Sequence, residues 1–352
     1  MNVLVTGGTG DLGRIVVRKL AEAGHTVRSA SRHTPREPLP DGVSWARLDL
    51  ETGEGLEAAL EDVDTIVHAA TNPTGKLRQT DVEGTRGLLE RARAAGVQHV
   101  VFISIVGIDR VPQFFYYKVK LEAERVVRES GVPYTILRAT QFPEFFERLL
   151  TPQLRLPALL VPTDFKSQPV DAEIAADALV EFVERGPRGL LPDLAGPEVL
   201  TLGEIARAWR DARGLHKPII HLPVPGKAAQ GFRSGGIIVP DRPTAGPTYA
   251  DWLERKYGNS PSRRAPSPAA PLWARLIVTL IGLSYGLAGA ALLWATPWFY
   301  EHVGHFPPYN RHYAGDAGAF NLPIGLGLLW AARGLRKHRP LIVIGIIASV
   351  LH

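Results

Sequence analysis

Short apolar runs and segments of helical period alternate along the first 140 residues. NVLVT (2–6) is an apolar run that stops at glycines. DLGRIVVRKLAEAG (11–24) repeats apolar side chains at helical spacing and ends on Gly24, a residue suited to the position just past a helix. HTVRSAS (25–31) and VSWARLDL (43–50) predict strands, GLEAALEDV (55–63) a helix and TIVHAAT (65–71) a buried strand. A helix follows at 81–96, a strand at 99–107, a helix that opens within FFYYKVKLEAERVV (114–127), and a sixth strand at 134–140. Strands alternating with helices of about ten to fifteen residues predict an α/β fold with a doubly wound parallel sheet, its core in residues 1–140.

From 141 to 255 the pattern loosens. Prolines are frequent and helices are predicted at 171–185 and 202–213, as expected of a small C-terminal lobe at the edge of the sheet. Residues 256–271, KYGNSPSRRAPSPAAP, have the composition of a linker. LIVTLIGLSYGLAGAALLWA (276–295) is then twenty uncharged residues, long enough to span a bilayer as a helix. AGAFNLPIGLGLLWAA (317–332) would rise about 24 Å, and PLIVIGIIASVL (340–351) is too short to span alone. An all-α transmembrane segment is therefore expected over 272–352, with spans near 273–297 and 316–333 and a partial one at 340–352. Arg263, Arg264 and Arg275 flank the first span, and Arg333, Arg336, Lys337 and Arg339 follow the second. The loop between them has Arg311 against Glu301 and Asp316. Both basic flanks then share one side, which the positive-inside rule makes cytoplasmic together with residues 1–255. The expectation is a multi-pass protein of the cell membrane. Trp294, Trp298, Phe299 and Tyr300 stand where an interfacial aromatic belt would, and the spacing of His302, His305 and His312 matches no strong metal-ligand pattern.

Composition narrows the chemistry. A length of 352 residues suggests two or three domains, and 45% apolar content is enough for a packed core. The net charge of +5 is too slight to imply nucleic acid. The lack of cysteine removes disulfides, thiolate nucleophiles and cysteine-held metal clusters. MNVLVTGG has a short apolar run with no basic segment before it, which predicts a strand and not a signal peptide.

TGGTGDLG (6–13) lies between the first strand and the first helix. Gly7 permits a tight turn, Gly10 lets a pyrophosphate approach the backbone, and Gly13 lets helix and strand pack closely. The phosphates would meet free N–H groups and the positive end of the helix dipole. This context predicts a Rossmann-type fold binding a dinucleotide. At the end of the second strand, an acid would bind the ribose hydroxyls of NAD, but SASRH (29–33) has none. Arg32 can pair with a 2′-phosphate and Ser31 can hydrogen-bond it, so NADP(H) is expected over NAD(H). Asp49 lies where such folds place a carboxylate beside the adenine amino group, and Ala69 and Ala70 are small enough to let the cofactor reach the strand end. Tyr116 and Lys120, four apart, share a helix face. A lysine cation near a tyrosine stabilises the phenolate and makes the hydroxyl a usable proton donor, although a tyrosine at a helix start can also simply pack.

TGGTGDLG, HAAT, FISIVGID, YYKVKLEAE and GVPYTILRATQF resemble, in order, the motifs of atypical short-chain dehydrogenases/reductases of the NmrA-like kind, over residues 1 to about 255. The resemblance implies a nicotinamide cofactor held by Gly7, Thr9, Gly10, Asp11, Leu12 and Gly13, with Ser31, Arg32, Asp49, Ala69, Ala70 and Lys120. It implies a catalytic set of Tyr116, Lys120 and Ser104 that reduces a small-molecule carbonyl or quinone. Tethering to a membrane would suit a lipophilic substrate. Asp81 occupies a place where the family's helix often has asparagine. Non-catalytic NADP(H)-binding redox sensors also occur among NmrA-like proteins, and this is the alternative expectation. FKSQPVDAEIAADALVEFV (165–183) resembles the family segment closing the far lobe, with Asp171 as helix cap and Glu173 in the first turn. Trp252 is expected in the core. YNRHYAGDAGAFNLPIGLGLLWAAR (309–333) is similar to part of small DoxX-like membrane domains.

Overall fold

In a computed structural model, residues 1–35, 37–72, 76–258, 272–302 and 311–333 are described. The chain divides into two compact units, one of residues 1–213 and 217–259, the other of 214–216 and 260–352. The strands of the first unit are β1 (Asn2–Thr6), β2 (Thr26–Ser31), β3 (Val43–Arg47), β4 (Thr65–His68), β5 (His99–Ile105), β6 (Tyr134–Ala139), β7 (Leu159–Val161), β8 (Lys166–Ser167), β9 (Gly189–Leu190), β10 (Leu200–Thr201) and β11 (Ile219–His221). Its helices are α1 (Asp11–Glu22), α2 (Leu56–Leu60), α3 (Thr85–Ala94), α4 (Phe115–Glu129), α5 (Pro143–Leu150), α6 (Ala172–Arg185), α7 (Leu202–Ala212), α8 (Lys227–Ser234) and α9 (Tyr249–Tyr257).

Seven strands form a sheet in the order β3-β2-β1-β4-β5-β6-β9, and each neighbouring pair is parallel. The strand order reverses direction between β1 and β4, the point where such sheets open a crevice for a ligand. All six strands expected from the pattern are present. Several end earlier than their apolar runs because turn chemistry takes over. After β3, the Asp49 carboxylate accepts the Glu51 N–H at 2.9 Å and the Asp49 carbonyl accepts the Gly53 N–H at 2.8 Å.

Both sheet faces are buried, as a parallel sheet requires. On one, Val3, Val5, Val67, Val101 and Leu137 meet Val16, Val17 and Leu20 of α1 and Ala175, Ala176, Leu179 and Val183 of α6. On the other, Leu4, Ile66, Val100, Phe102 and Ile136 pack on Leu56, Leu88, Leu89, Val119, Ala123 and Val127. Residues 172–185, expected in the small lobe at the edge of the sheet, lie beside α1. Two residues from the same region, Gly189 and Leu190, add the seventh strand by pairing with Thr135 and Ile136. A two-residue strand is too short to leave a periodic signal. Asp171 caps α6 by accepting the Glu173 N–H at 2.9 Å, and Glu173 reaches Arg18 on α1 at 2.8 Å. The outlying part consists of α5, α7, α8 and α9 with the pairs β8–β10 and β7–β11. Its core holds Trp209 and Tyr249, and Trp252 stacks on Tyr249 with 5.9 Å between ring centres. α9 extends to Tyr257, so the expected linker begins no earlier than Gly258.

The second unit contains α10 (Leu272–Trp294), α11 (Thr296–His302) and α12 (Arg311–Ala332). Within α10, Arg275–Trp294 is 20 residues with a mean hydropathy of 2.1, long and apolar enough to cross a membrane. Two full spans were expected, but among the described residues this is the one helix both long and apolar enough to cross. α12 is helical over 22 residues, yet its apolar part is only Ala317–Ala332 because Arg311 and Asp316 fall in its first turns. The two helices pack through glycines. A Cβ at Gly282 would lie 3.0 Å from the Leu329 nitrogen, and one at Gly325 would run into the backbone of Gly286. Small residues that bring helix backbones close together characterise helix pairs in lipid. Residues 259–271, the apolar run at 340–352, and Arg263, Arg264, His305, Arg336, Lys337 and Arg339 lie outside the described residues.

Candidate functional site

The glycine loop has the geometry its sequence implies. Gly7 is in the left-handed region (φ +70°), and a Cβ there would lie 2.8 Å from the Ala70 Cα. Ala69 and Ala70 therefore border the loop directly. The Gly10 N–H donates to the Gly7 carbonyl at 2.9 Å, and a side chain at Gly13 would strike that carbonyl oxygen. α1 starts at Asp11 with Gly10 as its cap residue and no side-chain cap bond. The N–H groups of Asp11, Leu12 and Gly13 lie in its first turn, where an intrahelical partner is lacking and an anion is favoured. Thr9 is exposed on the lip of the turn, while the Asp11 carboxylate pairs with Arg148.

Beyond β2 and β3 a cleft of about 500 Å³ is lined by Arg32, His33, Thr34, Trp45, Arg47 and Asp49. Ser31 already uses its hydroxyl, donating to the His33 carbonyl at 2.7 Å and accepting from the Trp45 indole at 3.0 Å. The Arg32 side chain is about half exposed and lies 3.7 Å from Glu51. Hydrogen bonds from Thr80 and Asn72, with the charge of Arg32 behind them, hold the Glu51 carboxyl below its ordinary range. Sequence reading missed Arg47, which lines the cleft because neighbouring strand ends lie side by side, and Glu51, which pairs with Arg32.

At the C-terminal ends of β4 and β5 a buried polar group lies beneath the crevice. His68 bridges the hydroxyls of Thr6 (2.6 Å) and Thr85 (2.8 Å). Burial, and then the charge of Lys120, push its pKa down to about 3, so it is neutral. Lys120 is buried, with its ammonium 4.7 Å above the Phe102 ring and 3.4 Å from Asp81. Asp81 lies in a π-helical turn, Gln79–Gly84, where the pattern predicted regular helix from residue 81. Ser104 is buried on β5 and its hydroxyl has no partner among the described residues. Tyr116, in the first turn of α4, packs half-buried against both neighbouring apolar clusters, and its hydroxyl likewise makes no hydrogen bond among the described residues. Ser104 and Tyr116 thus each present an unused hydroxyl, while Lys120 is held by Asp81 and not by Tyr116. Tyr117 is a poor acid: burial raises its pKa, and its hydroxyl accepts from Gln141 at 3.4 Å.

Aromatic rings wall the region beside Tyr116. Phe114 meets Tyr116 edge-on at 6.4 Å, and Phe232 of α8 meets Phe114 at 5.3 Å, Tyr117 at 5.9 Å and Phe165 at 5.3 Å. Phe232 is brought in by the segment after α8. There the Gly236 carbonyl occupies the space of a side chain at Gly107, and Arg110 donates to that carbonyl at 2.9 Å. Below the wall, Arg138 of β6 makes paired bonds to Glu124 of α4 at 2.8 and 2.9 Å and a third to Asp109 at 2.8 Å.

The NAD(P)H-binding family model matches residues 7–180. A (4-alkanoyl-5-oxo-2,5-dihydrofuran-3-yl)methyl phosphate reductase from Streptomyces griseus is 31% identical over 57% of this chain and 70% of that protein. An NmrA-like family domain-containing oxidoreductase from Aspergillus flavus is 27% identical over 61% of this chain and 72% of its own. The photosystem II assembly factor Ycf39 of Synechocystis is 32% identical, over 40% of this chain and 45% of that one. The chain spans about half the length of several curated relatives it matches, between 45% and 58%. An NADPH-dependent quinone oxidoreductase from Escherichia coli, solved with NADPH, shares the fold with a TM-score of 0.57 at 21% identity, covering 72% of this chain and 99% of that one. The family match stops short of residues 309–333, and the likeness of that stretch to DoxX-like membrane domains gains no support from it. With the glycine turn, the switch-point crevice and a 31% identical reductase of which it covers 70%, the chain belongs to the NAD(P)H-binding Rossmann family, which has NmrA-like oxidoreductases among its members.

Proposed function

We propose that the chain is an NADPH-dependent reductase of a lipophilic carbonyl or quinone, tethered to the cytoplasmic face of the cell membrane. The observation that carries this reading is the buried Ser104 hydroxyl without a partner, on the strand that precedes Tyr116 and Lys120. Leaving such a group unpaired costs roughly 1–3 kcal/mol, and a substrate oxygen would satisfy it. NADPH, when bound, supplies hydride. Ser104 then orients and polarises the substrate oxygen, Tyr116 gives it a proton, and the Lys120 cation favours the phenolate left behind. Gly7, Thr9, Gly10 and the first turn of α1 would hold the pyrophosphate, and Ala69 and Ala70 would admit the cofactor at the end of β4. Arg32, with His33 and Arg47 in the same cleft, supports a preference for the 2′-phosphate of NADP(H) over NAD(H). The wall of Phe114, Phe165 and Phe232 suits an apolar, planar substrate. The membrane reading rests on the length and hydropathy of Arg275–Trp294 and on the basic residues that flank it in the sequence.

A second reading, a non-catalytic NADP(H)-binding regulator, draws on Asp81, which stands in the place of an expected asparagine and engages Lys120. Oxidation of NADPH by the detergent-solubilised chain, across a panel of quinones and carbonyls, separates the two. In a reductase, Tyr116→Phe should lose at least about a hundredfold in kcat with NADPH affinity intact. Tight NADPH binding without turnover on any compound would favour the regulator. Turnover unchanged in the variant would remove Tyr116 from the chemistry.

A further inference from the structure

The Asp81 carboxylate is engaged at both oxygens. Oδ1 accepts from the Thr71 hydroxyl at 2.8 Å and from Lys120 Nζ at 3.4 Å, and Oδ2 accepts from the Asn72 N–H at 3.2 Å. Its side chain is 0% exposed and that of Lys120 is 5% exposed. Thr71 and Asn72 directly follow Ala69 and Ala70, the pair that touches Gly7 of the phosphate loop. Asn72 is fixed in turn, since its amide donates to Glu51 at 2.9 Å. Asp81 therefore joins the loop that borders the cofactor turn to the lysine at the nicotinamide end. The joint lies in a π-helical turn, a wide coil found often at functional sites. Gly84 makes room for it, because a Cβ there would approach the Leu50 carbonyl oxygen to 2.6 Å.

Charge distinguishes this arrangement from the asparagine that the family resemblance leads one to expect there. An asparagine could turn its oxygen to the Asn72 N–H and its amide to Thr71, but it would then offer Lys120 no anion. Among the described residues, Asp81 is the one carboxylate paired with Lys120. A buried ammonium that loses its counter-charge is strongly disfavoured. We propose that Asp81 is the positioning residue for Lys120, holding the lysine against the Ala69–Asn72 loop so that its contact with bound NADP(H) depends on the Asp81 charge. The proposal rests on the cofactor-binding reading of this site and not on turnover.

A double-mutant cycle on the full chain in detergent tests it, using Asp81→Asn, Lys120→Met and the two combined, with NADPH affinity read from nicotinamide fluorescence. Each single change should weaken NADPH binding about tenfold, and the double variant should be no weaker than either. Lys120→Met leaves Asp81 buried without a cation and should melt well below wild type. The double variant removes both charges and should recover most of that loss, so folded protein is available for the comparison. Losses that multiply in the double variant would overturn the proposal, since the residues would then act independently. So would D81N with lowered thermal stability but wild-type NADPH affinity, the mark of a merely structural carboxylate. If the wild-type chain bound no NADPH, the cofactor reading itself would fall, and this proposal with it.

Discussion

Arg32 is a long cation on the rim of a cleft, with Glu51 as its nearest anion at 3.7 Å. A 2′-phosphate would be a stronger partner than this loose pair, because a guanidinium offers phosphate two parallel donors. Arg32→Ala should therefore weaken NADPH binding by about ten- to a hundredfold and leave NADH almost untouched, as parallel titrations would show; equal losses for both cofactors would mean that Arg32 is not a phosphate ligand. Two histidines buried among the described residues set an acid limit. Burial and the Lys120 charge hold His68 near about 3, and burial holds His99 near about 4. Both would titrate near 6.5 in the unfolded chain, so the unfolded state binds more protons below that pH. Their contribution is complete above pH 6.5 and is lost as the pH falls toward the folded values. The loss should be about 2 kcal/mol per histidine between pH 6.5 and 5, visible as a fall in the urea midpoint, and His99→Gln should flatten that fall by about one proton. At this scale the glycine turn before α1 was legible because its geometry depends on near neighbours in sequence. Glu51, Arg47 and the Asp81–Lys120 pair were not, since each acquires its meaning from a residue between fifteen and forty positions away.

Between elements, one polar joint locks α4 to the sheet. Arg138 on β6 meets Glu124 with two bonds, and Glu124 is fully buried. Those bonds, and after them the neighbouring Asp109, raise the affinity of the guanidinium for its proton, so it stays charged. Tyr116 and Lys120 ride on the same helix, and this joint helps fix where their ends point. Glu124→Ala would leave Arg138 buried with Asp109 as its remaining hydrogen-bonded carboxylate and should cost about 3–5 kcal/mol, measured as a lower unfolding midpoint. A loss below about 1 kcal/mol would show that water reaches the site and screens the pair. Element types along residues 1–140 could be read from periodicity, because each strand and helix is long enough to repeat its pattern. Three features escaped that reading for physical reasons. β9 is two residues long, the π-turn at Gln79–Gly84 differs from an α-helix by one residue of winding, and α6 finds its place through packing on α1 that no local pattern encodes.

For the whole molecule, the two units differ in where their apolar side chains lie. The first buries its apolar side chains on both faces of a sheet, whereas α10 exposes Leu280, Leu287 and Trp294 along a helix without a charge between Arg275 and its end. Twenty residues at 1.5 Å each give about 30 Å, the thickness of a bilayer's hydrocarbon core. The glycine contacts between α10 and α12 point the same way, since close backbone packing remains favourable where lipid removes the hydrophobic drive between helices. On the proposed reading, the complete chain should remain with membranes through an alkaline carbonate wash. A chain ending at residue 258, which keeps the sheet, both its apolar faces and α9, should move to the soluble fraction and bind NADPH within about twofold of the full chain, because none of the cofactor-loop residues lies beyond Lys120. If the shortened chain stayed on the membrane, the anchor would have to lie in the first unit. The exposed pair Leu160 and Ile220, cross-strand partners on β7 and β11, would then be the first place to look.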